Sequence, residues 1–227
     1  MSRRESLFEG EPRLLLEGLE ALRDGVRGVR LAVGVGFFGF LLAAGLIVLA
    51  GGKSSMLPFY GIVILAAAIV AGVLYMLAKS VARLLHGARL LSEYSPRYRL
   101  IRVGALLTLY SLLAALLSAA IAAARGAGEL RHIDPGNPLF AVFALSLLAA
   151  WLGVVVFSVG VARLRRYHPW FRDAAIGLVV GSTFIALVFG VVILFSALRT
   201  LVRAIDETIP RLREATAPEE KTTTPTA

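Results

Sequence analysis

The chain has 227 residues, of which 58% are hydrophobic, with a mean hydropathy of +0.78 and a formal charge of +9. It is too apolar for an ordinary soluble domain, and its apolar residues are gathered into blocks. Cysteine is absent, which excludes disulfides, thiolate nucleophiles and thiol metal sites.

Residues 1–30 carry both signs of charge, unlike a short basic leader ahead of a small-residue cleavage site. The first apolar block is therefore expected to remain as an anchor. Within this N-terminal segment Leu15, Leu19, Leu22, Val26 and Val29 recur at spacings of four and three. They form one apolar stripe on a helix, with Glu17, Glu20, Arg23, Asp24, Arg27 and Arg30 lying off it. Such an amphipathic helix lies on a membrane or packs against a neighbour.

Five blocks without Asp, Glu, Lys, Arg or His follow, at 31–52, 56–78, 103–124, 139–161 and 174–198. Each approaches the ~20 helical residues that cross a ~30 Å hydrocarbon layer. Helices satisfy their own backbone polar groups there, and no period of two points to a barrel. The expected fold is an all-α integral membrane protein with five transmembrane helices. Residues 51–55 read as a short turn, and Pro58 suits the first turn of the second helix. Lys79, Arg83 and His86 share a face and carry that helix past the membrane surface, so its depth stays open. Ala114, Ser118 and Ala122 line one face of the third span, and Gly177-x-x-x-Gly181 opens the fifth, spacings that let helices approach closely. Asp134-Pro-Gly-Asn-Pro138 is a turn signal. After the fifth span, Leu198, Leu201, Val202, Ile205, Ile209 and Leu212 form a stripe on an amphipathic extension over 199–214, which Pro210 should kink or interrupt. Arg203 can meet Asp206 or Glu207 on it. Residues 215–227 have the composition of a disordered tail.

Two stretches repeat one another without a gap: GARLLSEYSPRYRLIRVG from Gly87 and GVARLRRYHPWFRDAAIG from Gly160. Gly87/Gly160, Leu91/Leu164, Tyr94/Tyr167, Pro96/Pro169, Arg99/Arg172 and Gly104/Gly177 coincide. The repeated unit is a helix, a basic turn and a second helix, so spans two–three and four–five form parallel hairpins. Residues 1–30, 79–102 and 162–173 hold 16 of the 24 Lys and Arg. The positive-inside rule places them in the cytoplasm. With five spans the N-terminus is inside, the C-terminus outside, and the protein sits in the cell membrane. The charge belongs to membrane topology, so nucleic acid is not an expected partner.

Proline can stop each incoming helix at the repeated Tyr-x-Pro-x-aromatic-Arg turn. Tyr94, Tyr98, Tyr167, Trp170 and Phe171 suit the headgroup layer, and the arginines can snorkel to lipid phosphate. The expected partners are anionic lipid headgroups, held by Arg99 and Arg172 across the pseudo-axis with Arg97 and Arg166 beside them. A second copy of the chain or another membrane protein is a further possible partner. His86, His132 and His168 are not spaced as metal ligands. Glu93 and Asp173 stand singly, without the second carboxylate of an acid–base pair, and no phosphate loop is present. No cofactor, metal or enzymatic activity is expected. A small passive transporter or channel built from the two repeated hairpins, with a pore lined by Thr108, Ser111, Ser118, Ser146, Ser158, Ser182 and Thr183, is the alternative to a membrane-organising, lipid-interacting or accessory protein.

At Glu17-Gly-Leu-Glu-Ala-Leu-Arg23, the Leu-x-x-Tyr turns and the glycines Gly104 and Gly177, the chain resembles an uncharacterised archaeal multi-pass membrane family, domain-of-unknown-function family 973, over residues 14–205. The resemblance implies an archaeal cell membrane and no assigned activity. The absence of Gln and the single Asn, Asn137, match the depletion of thermolabile residues in thermophiles.

Overall fold

A computed structural model describes residues 11–50, 56–124, 138–184 and 188–216. Among these every regular element is helical. Helix α1 spans Pro12–Ala50, α2 Met56–Tyr94, α3 Arg99–Ala124, α4 Pro138–Ala162, α5 Trp170–Thr183 and α6 Val188–Thr216. Short 3-10 turns at Pro96–Tyr98 and Arg163–Arg166 precede α3 and follow α4. Proline opens α1 and α4, where a missing N–H costs no helical bond. The stretches Ala67–Tyr94, Pro96–Ile121 and Pro138–Arg166 are long and apolar enough to cross a membrane. The proposed turns at 51–55 and 134–137 and the tail beyond Thr216 lie outside the described residues.

The N-terminal amphipathic segment and the first apolar block are one unbroken helix of 39 residues, about 58 Å long at 1.5 Å per residue. Helix α2 is equally long, so the basic run from Lys79 continues its axis rather than ending it. Three antiparallel hairpins result: α1 with α2, α3 with α4, and α5 with α6. Contacts between α2 and α3, α4 and α5, and α6 and α1 close them into a ring.

Glycine sets the seams. A Cβ built at Gly87 would lie 2.5 Å from the Leu22 backbone nitrogen, and one at Gly160 2.7 Å from that of Ile101. No side chain fits where two helix backbones touch.

The apolar block 174–198 is not one span. Helix α5 ends at Thr183, and α6 returns beside it. A Cβ at Gly177 would meet Ala197, and one at Gly181 would lie 2.6 Å from the Leu194 nitrogen. The Trp151 indole donates to Thr183 Oγ1 over 3.1 Å, so α5 ends beside the middle of α4. Its 14 residues measure about 21 Å, too short for a crossing that includes the basic turn. The expectation of a fifth transmembrane helix is thereby corrected. So is the placement of 199–214 on the opposite side from the N-terminal segment. Arg27 donates to Asp206 over 2.6 Å, and Arg213 pairs with Glu20, so α6 descends alongside α1 towards its start. Pro210 lies inside α6 without interrupting it.

The core is concentrated at this basic end. Leu15, Leu19, Leu22 and Val26 of α1 are buried together with Ala88 and Leu91 of α2 and Leu201, Ile205, Ile209 and Leu212 of α6. The amphipathic stripes at the two ends of the chain therefore cover one another rather than a lipid surface. Further along the bundle large apolar side chains face outwards, among them Leu31, Phe38, Leu116 and Leu145. Leu19→Ala should cost about 2–5 kcal/mol, as a cavity in a close-packed core does. Leu116→Ala, at a side chain 60% exposed, should leave the thermal midpoint in detergent almost unchanged. Equal shifts for the two variants would contradict this division.

Candidate functional site

The two basic turns are built alike and lie against each other. Helix α2 stops at Tyr94, and extended Ser95 caps the next turn by accepting from the Arg97 N–H over 3.4 Å, with Pro96 at its first position. In the second copy the Arg163–Arg166 turn leads through Tyr167 and His168 to Pro169, which precedes α5. Repeat-related Tyr94 and Tyr167 meet hydroxyl to hydroxyl at 3.4 Å. Burial, with Tyr94 bonded to it, pushes the Tyr167 phenol far above its ordinary value, so it remains a neutral donor and acceptor. Arg163 donates to the Arg97 carbonyl over 2.8 Å, which ties the turns together.

Between them is a cleft of about 350 Å³ lined by Arg97, Tyr98, Arg163, Arg165 and Arg166. Arg166 lies over the rings of Tyr98 and Tyr167, at 5.6 and 4.7 Å, and Tyr98 stacks on Tyr94. The aromatic rings hold the guanidinium flat, and its Nη2 donates to the Tyr167 hydroxyl. No carboxylate lines the cleft. Nearby acids are engaged elsewhere: Glu93 with Arg89, Glu207 with His168 and Arg203, and Asp206 with Arg23 and Arg27. Guanidinium donors of this kind match phosphate or carboxylate oxygens.

Arg97 and Arg166 are thus brought together, whereas Arg99 and Arg172 are not. Arg99 lines a separate groove with Ser92, Glu93, Arg102, Val103 and Leu106. Arg172 is exposed beside Asp173 at 3.9 Å. The aromatic belt also needs correction. Tyr98 is 1% and Phe171 0% exposed, and both are core residues, as is Tyr94, rather than members of an exposed belt. Trp170 instead receives Arg203 over its face at 3.9 Å.

Sequence spacing missed two positive groups of the site, Arg163 and Arg165, because neither has a basic counterpart in the first turn. It also treated His168 as isolated. His168 is buried, takes the Trp170 N–H on Nδ1 at 3.3 Å and places Nε2 3.0 Å from Glu207 of α6. Glu207 also accepts from Arg203, so this cluster fastens α6 to the second turn.

The packing residues divide similarly. Gly177 and Gly181 pack against α6 within the chain. On α3 the buried face is Ser111, Ala115 and Ser118; Ala114 faces outwards, and the side chain of Ala122 lies outside the described residues. Five of the seven hydroxyls considered for a pore lining are turned onto their own helices. Thr108, Ser118, Ser158, Ser182 and Thr183 each donate to a carbonyl three or four residues back, the usual habit of hydroxyls in apolar helices. Among the described residues no group of three His, Cys or acidic side chains could hold a metal.

No protein-family model, curated protein or solved structure matches the chain.

Proposed function

We propose that this protein is a non-enzymatic integral membrane protein that gathers anionic, phosphate-bearing lipid headgroups against its cytoplasmic end. The observation that carries the reading is the arginine cleft of Arg97, Arg163, Arg165 and Arg166, free of lining carboxylates and set at the base of outward-facing apolar helices. Guanidinium forks match phosphate oxygens bidentately, and a cationic surface is attracted to an anionic leaflet.

The topology in this proposal has four crossings, by α1 to α4, and a re-entrant hairpin formed by α5 and α6. With α6 returned to the N-terminal end, 21 of the 24 Lys and Arg fall on one side by chain position. Lys53, Arg125 and Arg131 fall on the other, a steeper asymmetry than five spans allow, and the rule puts the 21 inside. Three related hairpins underlie the architecture rather than two. Gly25, Gly104 and Gly177 take the same place against Leu84, Phe157 and Ala197, and the buried polar residues Ser95, His168 and Thr208 hold one register after α2 and α4 and within α6. Kinship with the archaeal family of residues 14–205 stays part of this reading. That five of the seven candidate pore hydroxyls donate within their own helices weighs against the alternative of a channel.

Arg97→Gln combined with Arg165→Gln leaves the Arg163 and Arg166 hydrogen bonds in place. Near an anionic surface each arginine contributes about 1 kcal/mol, so together the changes should weaken phosphatidylglycerol binding by roughly thirtyfold. Titration of the detergent-solubilised protein, read by native mass spectrometry, measures this. Equal binding by the double variant and the unaltered chain would overturn the proposal.

A further inference from the structure

A second opening lies on the opposite flank of the ring. Gly34, Val35, Phe38 and Leu42 of α1 line a groove of about 800 Å³, walled by Ile69 of α2 and Phe195 of α6, with Arg27 and Arg30 at one end. Its volume falls within the ~300–1,000 Å³ of ligand sites. The groove exists because of two features. Gly34 has no side chain: a Cβ there would meet only the Phe195 ring, at 3.5 Å. The α5–α6 hairpin also stops beside the middle of α4, so beyond Phe195 the groove along α1 is walled by Ile69 of α2.

The lining is amphiphilic along its length. From Arg30 to Leu42 the α1 axis advances about 18 Å, slightly more than one leaflet of a ~30 Å hydrocarbon layer. The guanidinium of Arg30 sits 4.8 Å above the Phe195 ring, and among the described residues no carboxylate pairs with it. Arg27 shares Asp206 with Arg23. The mouth is therefore cationic and the remainder hydrocarbon. A zwitterionic headgroup would bring its own ammonium to these guanidiniums, whereas a phosphomonoester or phosphodiester without an added cation matches them.

We infer that this groove is a site for one anionic phospholipid, with one hydrocarbon chain lying along α1 past Gly34 to Leu42 and its phosphate on Arg30 and Arg27. The inference extends the lipid reading above to a lipid held singly, at a place separate from the arginine cleft. Charge complementarity at the mouth selects the headgroup, and the one-leaflet length selects the chain. The occupant is part of the fold's lipid-facing surface rather than a transient neighbour, because it fills the flank left uncovered by the short hairpin.

The test uses the full chain, purified in mild detergent, loaded with a mixture of phosphatidylglycerol and phosphatidylcholine, washed, and read by native mass spectrometry. One phosphatidylglycerol per chain should survive washing. Arg30→Gln and, independently, Gly34→Leu, which places a side chain in the groove, should each reduce that species by roughly tenfold, the loss of a charge-assisted contact. Gly34→Ala should retain it. The Arg97→Gln/Arg165→Gln variant should also retain it, whatever happens to weaker lipid binding at the turns, so failure here and failure of the arginine-cleft reading are read from different variants. On the unaltered chain, phosphatidylglycerol carrying a photoreactive group on its acyl chain should label peptides containing Phe38, Leu42 or Phe195. Equal retention of phosphatidylcholine, retention unaffected by both Arg30→Gln and Gly34→Leu, loss only in the Arg97/Arg165 variant, or labelling confined to other helices would overturn the inference.

Discussion

Gly104→Leu should abolish most of the folded, monodisperse protein, while Gly72→Ala should leave the yield intact. Both residues are glycines inside long apolar helices, and composition does not separate them. Their surroundings do. A Cβ at Gly104 would lie 2.2 Å from the Phe157 nitrogen and 2.7 Å from the Gly153 carbonyl oxygen. Both obstacles are backbone, so no rotamer change makes room. The α3–α4 seam would have to open, and with it the approaches of Gly153 to Thr108 and Gly160 to Ile101. Overpacking ordinarily costs about 1–3 kcal/mol; a whole seam places this case at or above the upper end. At Gly72 nothing lies within 4 Å, and alanine is the better helix former. Thermal midpoints in detergent, with the monodisperse fraction from size-exclusion chromatography, provide the comparison. Similar midpoints for both variants would mean that α3 and α4 do not touch as described.

A reporter active only in the cytoplasm should be active both before Met1 and after Ala227. The charge pattern with five spans predicts the reverse for the second fusion, so the outcome is all or none. The new expectation rests on four contacts. Gly181 against Leu194 makes α5 and α6 antiparallel. Arg27 with Asp206, and Arg213 with Glu20, align α6 with α1 in the opposite direction. His168 with Glu207 ties α6 to the second basic turn. Lys53, in the link between α1 and α2, should react with an impermeant amine reagent from the outer side. An inactive C-terminal fusion in folded, membrane-inserted protein would restore the fifth crossing.

Helical class, long apolar helices and several packing faces were legible from residue pattern alone. The stripe Leu15–Leu19–Leu22–Val26 and the stripe Leu198–Leu201–Ile205–Ile209–Leu212 were visible as period-3.6 surfaces, and both are buried. Their mutual contact was not visible, because periodicity identifies a face and never its partner. The block 174–198 misled for a related reason. Twenty-five uncharged residues satisfy the length rule for a crossing, yet two half-length helices back to back satisfy it equally. The available signals were Gly177 and Gly181 at its start and the four arginines that follow it, which sit awkwardly outside. The headgroup reading of Tyr98 and Phe171 failed because the long α1 and α2 carry the turns onto a protein core. At the arginine site, exact repetition drew attention to Arg99 and Arg172. The side chains that converge are Arg97 from one turn and the unrepeated Arg163 and Arg165, with Arg166, from the other. Pseudo-symmetry relates backbones, and the cleft is made by their differences.

Because most of its buried side chains cluster at one end, the molecule is held together in two solvents by two different forces. Around Leu19, Ile205 and Phe171 water is the driving agent, and cohesion there weakens on cooling and in urea. Farther up, where Leu116 and Leu145 are exposed and the proposed bilayer would surround them, water has no such role and helices cohere by shape alone. Chaotropes therefore loosen the aqueous end first, unfastening α6 from α1 while the lipid-embedded helices keep their form.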